Sequence, residues 1–357
     1  KPIQPPALWF PHRVAQSGID PVWGSDPRLG ALYKSILYIE YKKPSLHKVF
    51  IPEEGEIIQT AAVPLDLEFE IPLLKGAINP VDGMLYMVGF QIWDSFAKRL
   101  EGICRLRVLE QRDEYPTQAQ VFKEGVLLQF SHPLDKETAL NPANYQVNSW
   151  EYLREASYGS AQYKADGTPG IDKRFVHSVL LSQDRKSVFL AIDPMSTTMQ
   201  LEVQHYLNGS WQPVYLTVNE LPPATLSKFG FHNTNFATLF RSPPVPRQVS
   251  EQKGIISEAR GQEVATLYGC AGCHSTDGST EGKSGPTWKG LYRSKRPILG
   301  GRSVKADEDY LRESILEPTK VMVAGFDGAE AGMPPYQGVL TEEDVESVIL
   351  FIRSLGR

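Results

Sequence analysis

The chain has 357 residues, enough for two or three domains, with 41% hydrophobic and 22% charged residues, ordinary for a globular protein. A net charge of −5, from 37 Lys and Arg against 42 Asp and Glu, leaves no dominant basic field and argues against nucleic acid as a partner. No apolar run approaches the ~20 residues that a bilayer crossing needs, and the sequence opens at Lys1 without a signal peptide, as expected of either a mature product or a trimmed chain.

Residues 1–111 read as short strands broken by Pro, Gly and Asp. Ser35–Tyr41, Val49–Ile51, Met84–Phe90 and Gly102–Val108 have strand composition, and Asn79-Pro80-Val81-Asp82-Gly83 is a turn that opens the third. Cys104 falls in the last of these and reads as a small buried hydrophobe rather than a reactive thiol. The run Asp82–Phe90 followed by Gly102–Arg107 resembles the closing blade of a β-propeller of the sugar-dehydrogenase type. Blades of ~40–50 residues and rings of at least four mean that 111 residues cannot close a ring. The resemblance therefore implies that an earlier segment or a separate chain completes the propeller, and that PQQ with calcium, if used, sits in that missing portion. A small independent β-domain is the alternative.

Residues 112–222 read as a β-sandwich. Gly125–Phe130, Asn144–Val147, Val176–Leu181, Ser187–Ile192, Met199–Val203 and Val214–Val218 supply strands at short spacing, with an irregular insertion from Tyr158 to Asp172. The stretch from Phe130 to Val147 resembles immunoglobulin-like or fibronectin-like modules of exported bacterial proteins. No metal-ligand or nucleophile spacing appears in it, so it reads as a spacer or docking module. Residues 223–253, with Pro222-Pro223 at their start and Ser242-Pro-Pro-Val-Pro246 within, read as a semi-rigid linker.

From 254 onward the pattern turns helical. A first helix is expected over Ser257–Tyr268, with Ile255, Ile256, Val264 and Leu267 as a partial apolar stripe and Gly261 permitting close approach of another helix. A middle helix over Asp307–Leu316 takes Asp307 as its N-cap and stops before Pro318. A last helix starts at the N-cap Thr341 with Asp344 as its capping-box partner. Leu340 and Val345 staple its entry, and Val345, Val348, Ile349, Ile352 and Leu355 form its buried stripe.

Between the first two helices stands Cys270-Ala271-Gly272-Cys273-His274. Two thiols two residues apart with an imidazole directly after the second form the attachment pattern of a c-type haem. Each thiol can add across one vinyl group, and His274 then ligates the iron. The sixth ligand has two candidates. Met333, before Pro334-Pro335, is favoured; Met322, in the apolar run Val321–Ala324, reads as core. A thioredoxin-like pair would not need His274 or Met333, and a structural zinc site needs a fourth ligand.

Residues 254–357 resemble a class I cytochrome c domain of the kind fused to oxidase subunits and periplasmic dehydrogenases. Gly261, Cys270–His274, Gly285-Pro286-Thr287-Trp288-Lys289-Gly290-Leu291-Tyr292, Asp307–Pro318, Met333–Tyr336 and Phe351–Leu355 carry the resemblance in order. Ala265, where relatives often carry an aromatic residue, departs from it. The resemblance implies an all-α haem domain, one covalent haem c, and attachment outside the cytoplasm. It implies that Pro286 marks the proximal side, where the backbone accepts the His274 Nδ1 proton, and that Phe351 packs on the first helix. Trp288, Tyr292 and Tyr310 become candidates for haem-edge packing or propionate bonds, with ordinary core aromatics as the alternative. Arg302 belongs with Lys283, Lys289, Arg293, Lys295 and Arg296 to a basic group that can neutralise propionates or steer an acidic redox partner, or is simply solvated.

The expected whole is a multidomain protein: a β-rich, partly propeller-like segment (1–111), an Ig-like β-sandwich (112–222), a linker (223–253) and an all-α cytochrome c domain (254–357). Electron transfer between periplasmic donor and acceptor proteins, with His274 and Met333 on the iron, is the favoured function. The C-terminal part of a quinone-dependent sugar or alcohol dehydrogenase is the runner-up, and carbohydrate binding by the sandwich a third reading.

Overall fold

A computed structural model describes residues 4–51, 58–108, 115–154, 159–231, 236–240, 256–268, 270–279, 285–318, 320–326, 333, 336 and 340–356. The expectations for Ile255, Lys283, Gly332, Pro334, Pro335, Tyr158 and most of the linker lie outside these residues. The chain forms two compact units, one of Lys1–Glu151 with Asp172–Arg247 and one of Tyr152–Ile171 with Gln248–Arg357. Among the described residues no helix is long and apolar enough to cross a membrane.

The first unit is built of strands. In chain order they are β1 (Gly18–Trp23), β2 (Ile36–Glu40), β3 (Ser45–Val49), β4 (Ala61–Pro64), β5 (Lys75–Ile78), β6 (Leu85–Phe90), β7 (Glu101–Leu106), β8 (Gln118–Phe122), β9 (Gly125–Gln129), β10 (Tyr145–Trp150), β11 (Asp172–Arg174), β12 (Val176–Leu181), β13 (Ser187–Ile192), β14 (Thr198–His205) and β15 (Gln212–Val218). An eight-stranded sheet runs β1-β2-β3-β4-β15-β14-β10-β11, a four-stranded sheet β12-β13-β9-β8, and a three-stranded sheet β5-β6-β7; none closes on itself. The large sheet takes strands from both sides of residue 111, through the pairing of β4 with β15 at Ala62–Tyr215 and Ala61–Leu216. Such a pairing joins residues more than 150 positions apart, and no local pattern announces it.

The four-stranded sheet shows how period-2 alternation sorts side chains when both faces are covered. Val188, Leu190 and Ile192 of β13, with Val126 and Leu128 of β9, join the main core that also holds Leu37, Ile39, Leu201, Val203, Val214 and Leu216 of the large sheet. Phe189, Ala191 and Leu127 point the other way, under a cap formed by Leu226, Phe231 and Leu239. All six residues of β13 are buried, which explains its unbroken apolar run. Leu85 and Met87 of β6 also reach the main core, while Val88 and Phe90 alternate outward. Cys104 lies half-buried in β7 opposite Met87, and burial raises its thiol pKa, as suits the structural reading.

The second unit is mainly helical: α1 (Glu258–Leu267), a single turn α2 (Cys270–Cys273), α3 (Glu308–Leu316) and α4 (Glu342–Ser354). A two-stranded ladder, β16 (Lys295–Pro297) against β17 (Ser303–Lys305), adds β-structure to the expected all-α domain. The strand tip is extended by Leu299 N to Met322 O (3.0 Å) and Ala324 N to Pro297 O (3.0 Å), so the segment around Met322 is tied down by its backbone.

Helix entries follow the sequence signals. Asp307 caps α3 by accepting from Tyr310 N, and Thr341 caps α4 by accepting from Asp344 N. The second half of the expected capping box is absent: the Asp344 carboxylate is drawn to Arg260 Nε and Nη2 (3.1 and 2.9 Å), because a guanidinium is the stronger partner. In α1, Val264 and Ala265 are buried, whereas Ile256 is 47% exposed and does not belong to the stripe. Gly261 lies where α1 crosses α4; a Cβ there would meet Ser347 O at 1.9 Å.

Candidate functional site

The site grows from α2. The His274 N–H donates to Cys270 O (2.9 Å), which closes one helical turn and puts the imidazole directly past the second thiol. Cys270 is buried and Cys273 exposed, so the two sulfurs present themselves to different surroundings. Burial pushes the Cys270 thiol up to about 11, with the Tyr336 hydroxyl acting in the opposite sense.

A second segment is locked against this turn. Gly285 N donates to Cys273 O (3.0 Å) and Trp288 N to Ser275 O (2.8 Å), and the Ser275 and Thr287 hydroxyls bond at 2.7 Å. These ties carry Pro286 O to 2.7 Å from His274 Nδ1. A carbonyl can only accept, so the proton is on Nδ1 and the ring lone pair on Nε2. Gly285 is required for that approach: a Cβ on it would stand 2.7 Å from His274 Cε1.

The ring is held flat as well as aimed. Trp288 stacks on it at 5.1 Å between centroids with 17° between planes, and Phe351 of α4 meets Trp288 edge-on at 6.2 Å. His274 is 8% exposed and Trp288 4%. The expected contact of Phe351 with the first helix is present too, since its Cβ lies at the Gly261 crossing.

Met333 is partly buried against the same apolar cluster, which includes Val264, Cys270, Trp288, Leu311 and Tyr336. Tyr336, three residues on, anchors this end of the chain: its N–H donates to Ile315 O (3.2 Å) and its hydroxyl to Tyr268 O (2.9 Å), with the two tyrosine rings edge-on at 6.1 Å. Sequence reading had not singled out Tyr336, Gly285 or Thr287 as parts of the site. All three carried a signal only through their place in the motifs Gly285–Tyr292 and Met333–Tyr336.

Of the aromatic candidates, Tyr292 is engaged elsewhere. Its hydroxyl donates to Glu308 (3.1 Å), and its ring lies under the Arg353 and Arg293 guanidiniums at 5.0 and 5.4 Å. Tyr310 is partly buried against the cluster, and Arg302 is exposed in the β16–β17 turn, its carbonyl accepting from Ile298 N (2.9 Å). In the basic group Arg296 stands apart: its Nε is buried with no hydrogen-bond partner among the described residues. Among those residues no group of three or more His, Cys, Asp or Glu is arranged to hold a metal ion.

These groups suit a haem: two thiols on one turn, an imidazole with its tautomer fixed, a thioether at the apolar cluster and a partly buried arginine whose buried Nε has no hydrogen-bond partner among the described residues. Residues 258–356 match the family model Cytochrome c. The chain thus has a C-terminal c-type cytochrome domain, a class defined by covalently bound haem c and haem-based electron transfer. No curated protein matches the chain.

Proposed function

We propose that Cys270 and Cys273 would carry one haem c through thioether bonds, that His274 Nε2 and Met333 Sδ would hold its iron, and that the chain relays electrons between donor and acceptor proteins outside the cytoplasm. The observation that carries the reading is the Nδ1–H bond from His274 to Pro286 O. It orients the ring, fixes the lone pair on Nε2 and raises the basicity of that nitrogen. The haem, when bound, supplies reversible one-electron chemistry.

The chain's own residues do the rest. Trp288 and Phe351 keep the imidazole from rotating, Tyr336 anchors the segment that presents Met333, and the buried cluster excludes water from the ligand side. Buried Arg296 Nε is a partner for a propionate, a role for which it is better suited than exposed Arg302. A thioether ligand favours the ferrous state relative to a second imidazole, which suits an electron acceptor that passes electrons onward. Replacing Met333 by Ala should abolish the weak charge-transfer absorbance of sulfur-ligated ferric haem; an unchanged spectrum refutes Met333 as ligand.

The dehydrogenase reading, with a propeller completed by an earlier segment or another chain, draws support from one feature. The outward face of the β5-β6-β7 sheet and its flanking loop exposes Val88 (41%), Phe90 (56%), Ile103 (74%) and Leu100 (71%), an apolar surface of the kind one blade presents to the next. Sugar-dependent haem reduction after addition of PQQ and calcium would favour that reading; reversible redox cycling without it favours the carrier.

A further inference from the structure

The first unit holds a cleft of about 720 Å³ at the free edge of the four-stranded sheet, lined by β8 and by residues near the ends of β4 and β15. That volume is within the range of about 300–1,000 Å³ typical of small-molecule sites. Its lining is unusual in kind. Among the described residues, four carboxamides, Gln59, Gln118, Gln120 and Gln129, share it with Thr60, Thr117 and Thr217, one cation (Lys228) and no carboxylate.

The amides are arranged by the ladder. In β8, Ala119 and Val121 turn into the main core, so Gln118 and Gln120 share the opposite face with Phe122. Gln129 pairs with Gln118 across the β8–β9 ladder, bringing three amides together. Two of the four are partly committed: Gln59 Oε1 accepts from Asn219 N and Glu220 N (both 2.8 Å), and Gln118 Nε2 donates to Ile51 O at 3.4 Å. The side chains of Gln120 and Gln129 are half-buried and bonded to nothing among the described residues. Beside them the partly buried Phe229 ring rests on Phe122 at 6.3 Å between centroids.

From this we infer that the cleft binds a neutral oligosaccharide. A carboxamide offers donors and an acceptor together, as does a sugar hydroxyl, so each can satisfy both roles of the other. An aromatic ring beside them suits the C–H face of a pyranose. A phosphate or polyanion would need several cations and finds one among the described lining residues; a lipid would need an apolar enclosure.

Calorimetric titration of the full haem-loaded chain with cello-, xylo-, manno- and malto-hexaose tests this. Saturable binding of at least one of them is expected, weakened on the order of tenfold by Gln120→Ala combined with Gln129→Ala, and again by Phe229→Ala. Trp211→Ala, which removes an exposed ring in the β14–β15 loop, should leave it unchanged, and circular dichroism of each variant should match the parent. No heat with any of the four sugars overturns the inference. So does binding that survives the double amide substitution or is lost with Trp211.

Discussion

Gly261→Ala places two physical effects in direct competition. In an isolated helix the change would stabilise α1 by about 1 kcal/mol, because glycine has the greater backbone entropy to lose. At this crossing the added Cβ would stand 1.9 Å from Ser347 O, 2.5 Å from Ser347 C and 2.8 Å from Phe351 Cβ. Ordinary contact begins near 3.4 Å, so the helices must part by about 3.4 − 1.9 = 1.5 Å. The clashing atoms are backbone, which cannot rotate away. Separation on that scale removes much of the dispersion contact among Val264, Ala265, Val348 and Ile352. Overpacking costs typically 1–3 kcal/mol or more, so the expected net effect is destabilisation of about 2 kcal/mol. Guanidinium unfolding of the ferric protein, followed by haem absorbance, reads the haem domain alone. A lower midpoint at unchanged slope is the expected result. An unchanged or higher midpoint refutes the close crossing of α1 and α4.

The remaining predictions concern other links. Burial holds the His47 and His205 rings at about 4, against an ordinary 6.5, with Lys43 adding to the effect at His47. The folded first unit therefore keeps both neutral while the unfolded chain protonates, so their contribution is complete above pH 6.5 and is lost as pH falls toward 4. At pH 5 each costs about 2 kcal/mol, and His205→Leu should remove one such share from the difference in urea stability between pH 7 and pH 5; an unaltered difference refutes it. Thr287→Val breaks the Ser275–Thr287 bond that helps hold Pro286 O on His274. It should make the imidazole a weaker donor and raise the reduction potential, read by voltammetry; a lowered potential would contradict that coupling. Phe351→Ala removes the edge contact to Trp288 and should lower haem-domain stability by about 2 kcal/mol in the same guanidinium assay. Arg353→Ala, which loses only an exposed ion pair to Glu308 and a ring contact, should change it by less than about 1 kcal/mol.

Much of the haem domain was legible because its determinants are local. Two thiols and an imidazole on one turn, Thr341 and Asp307 as caps, and the Val345–Ile352 stripe are facts of spacing, and the backbone obeys spacing directly. Asp344 shows the limit: its local role as a box partner lost to a guanidinium 84 positions away. Arg296 shows it again, since only the burial of its Nε separates it from the solvated cations around it.

In the first unit most strands could be read from composition, but their partners could not. β13 identified itself as a strand by its apolar run, yet which three residues face the main core and which lie under the Leu226–Phe231 cap depends on what folds over each side. The amino-acid order by itself determined the haem-attachment turn, its imidazole and the helices that flank it, because each is decided within a few residues. Only the tertiary structure decided that Pro286 O reaches His274, that β4 joins β15, and that four glutamines gather at a sheet edge. Those are meetings of distant segments, and their free energy comes from burial and hydrogen bonds that exist only after the chain has closed.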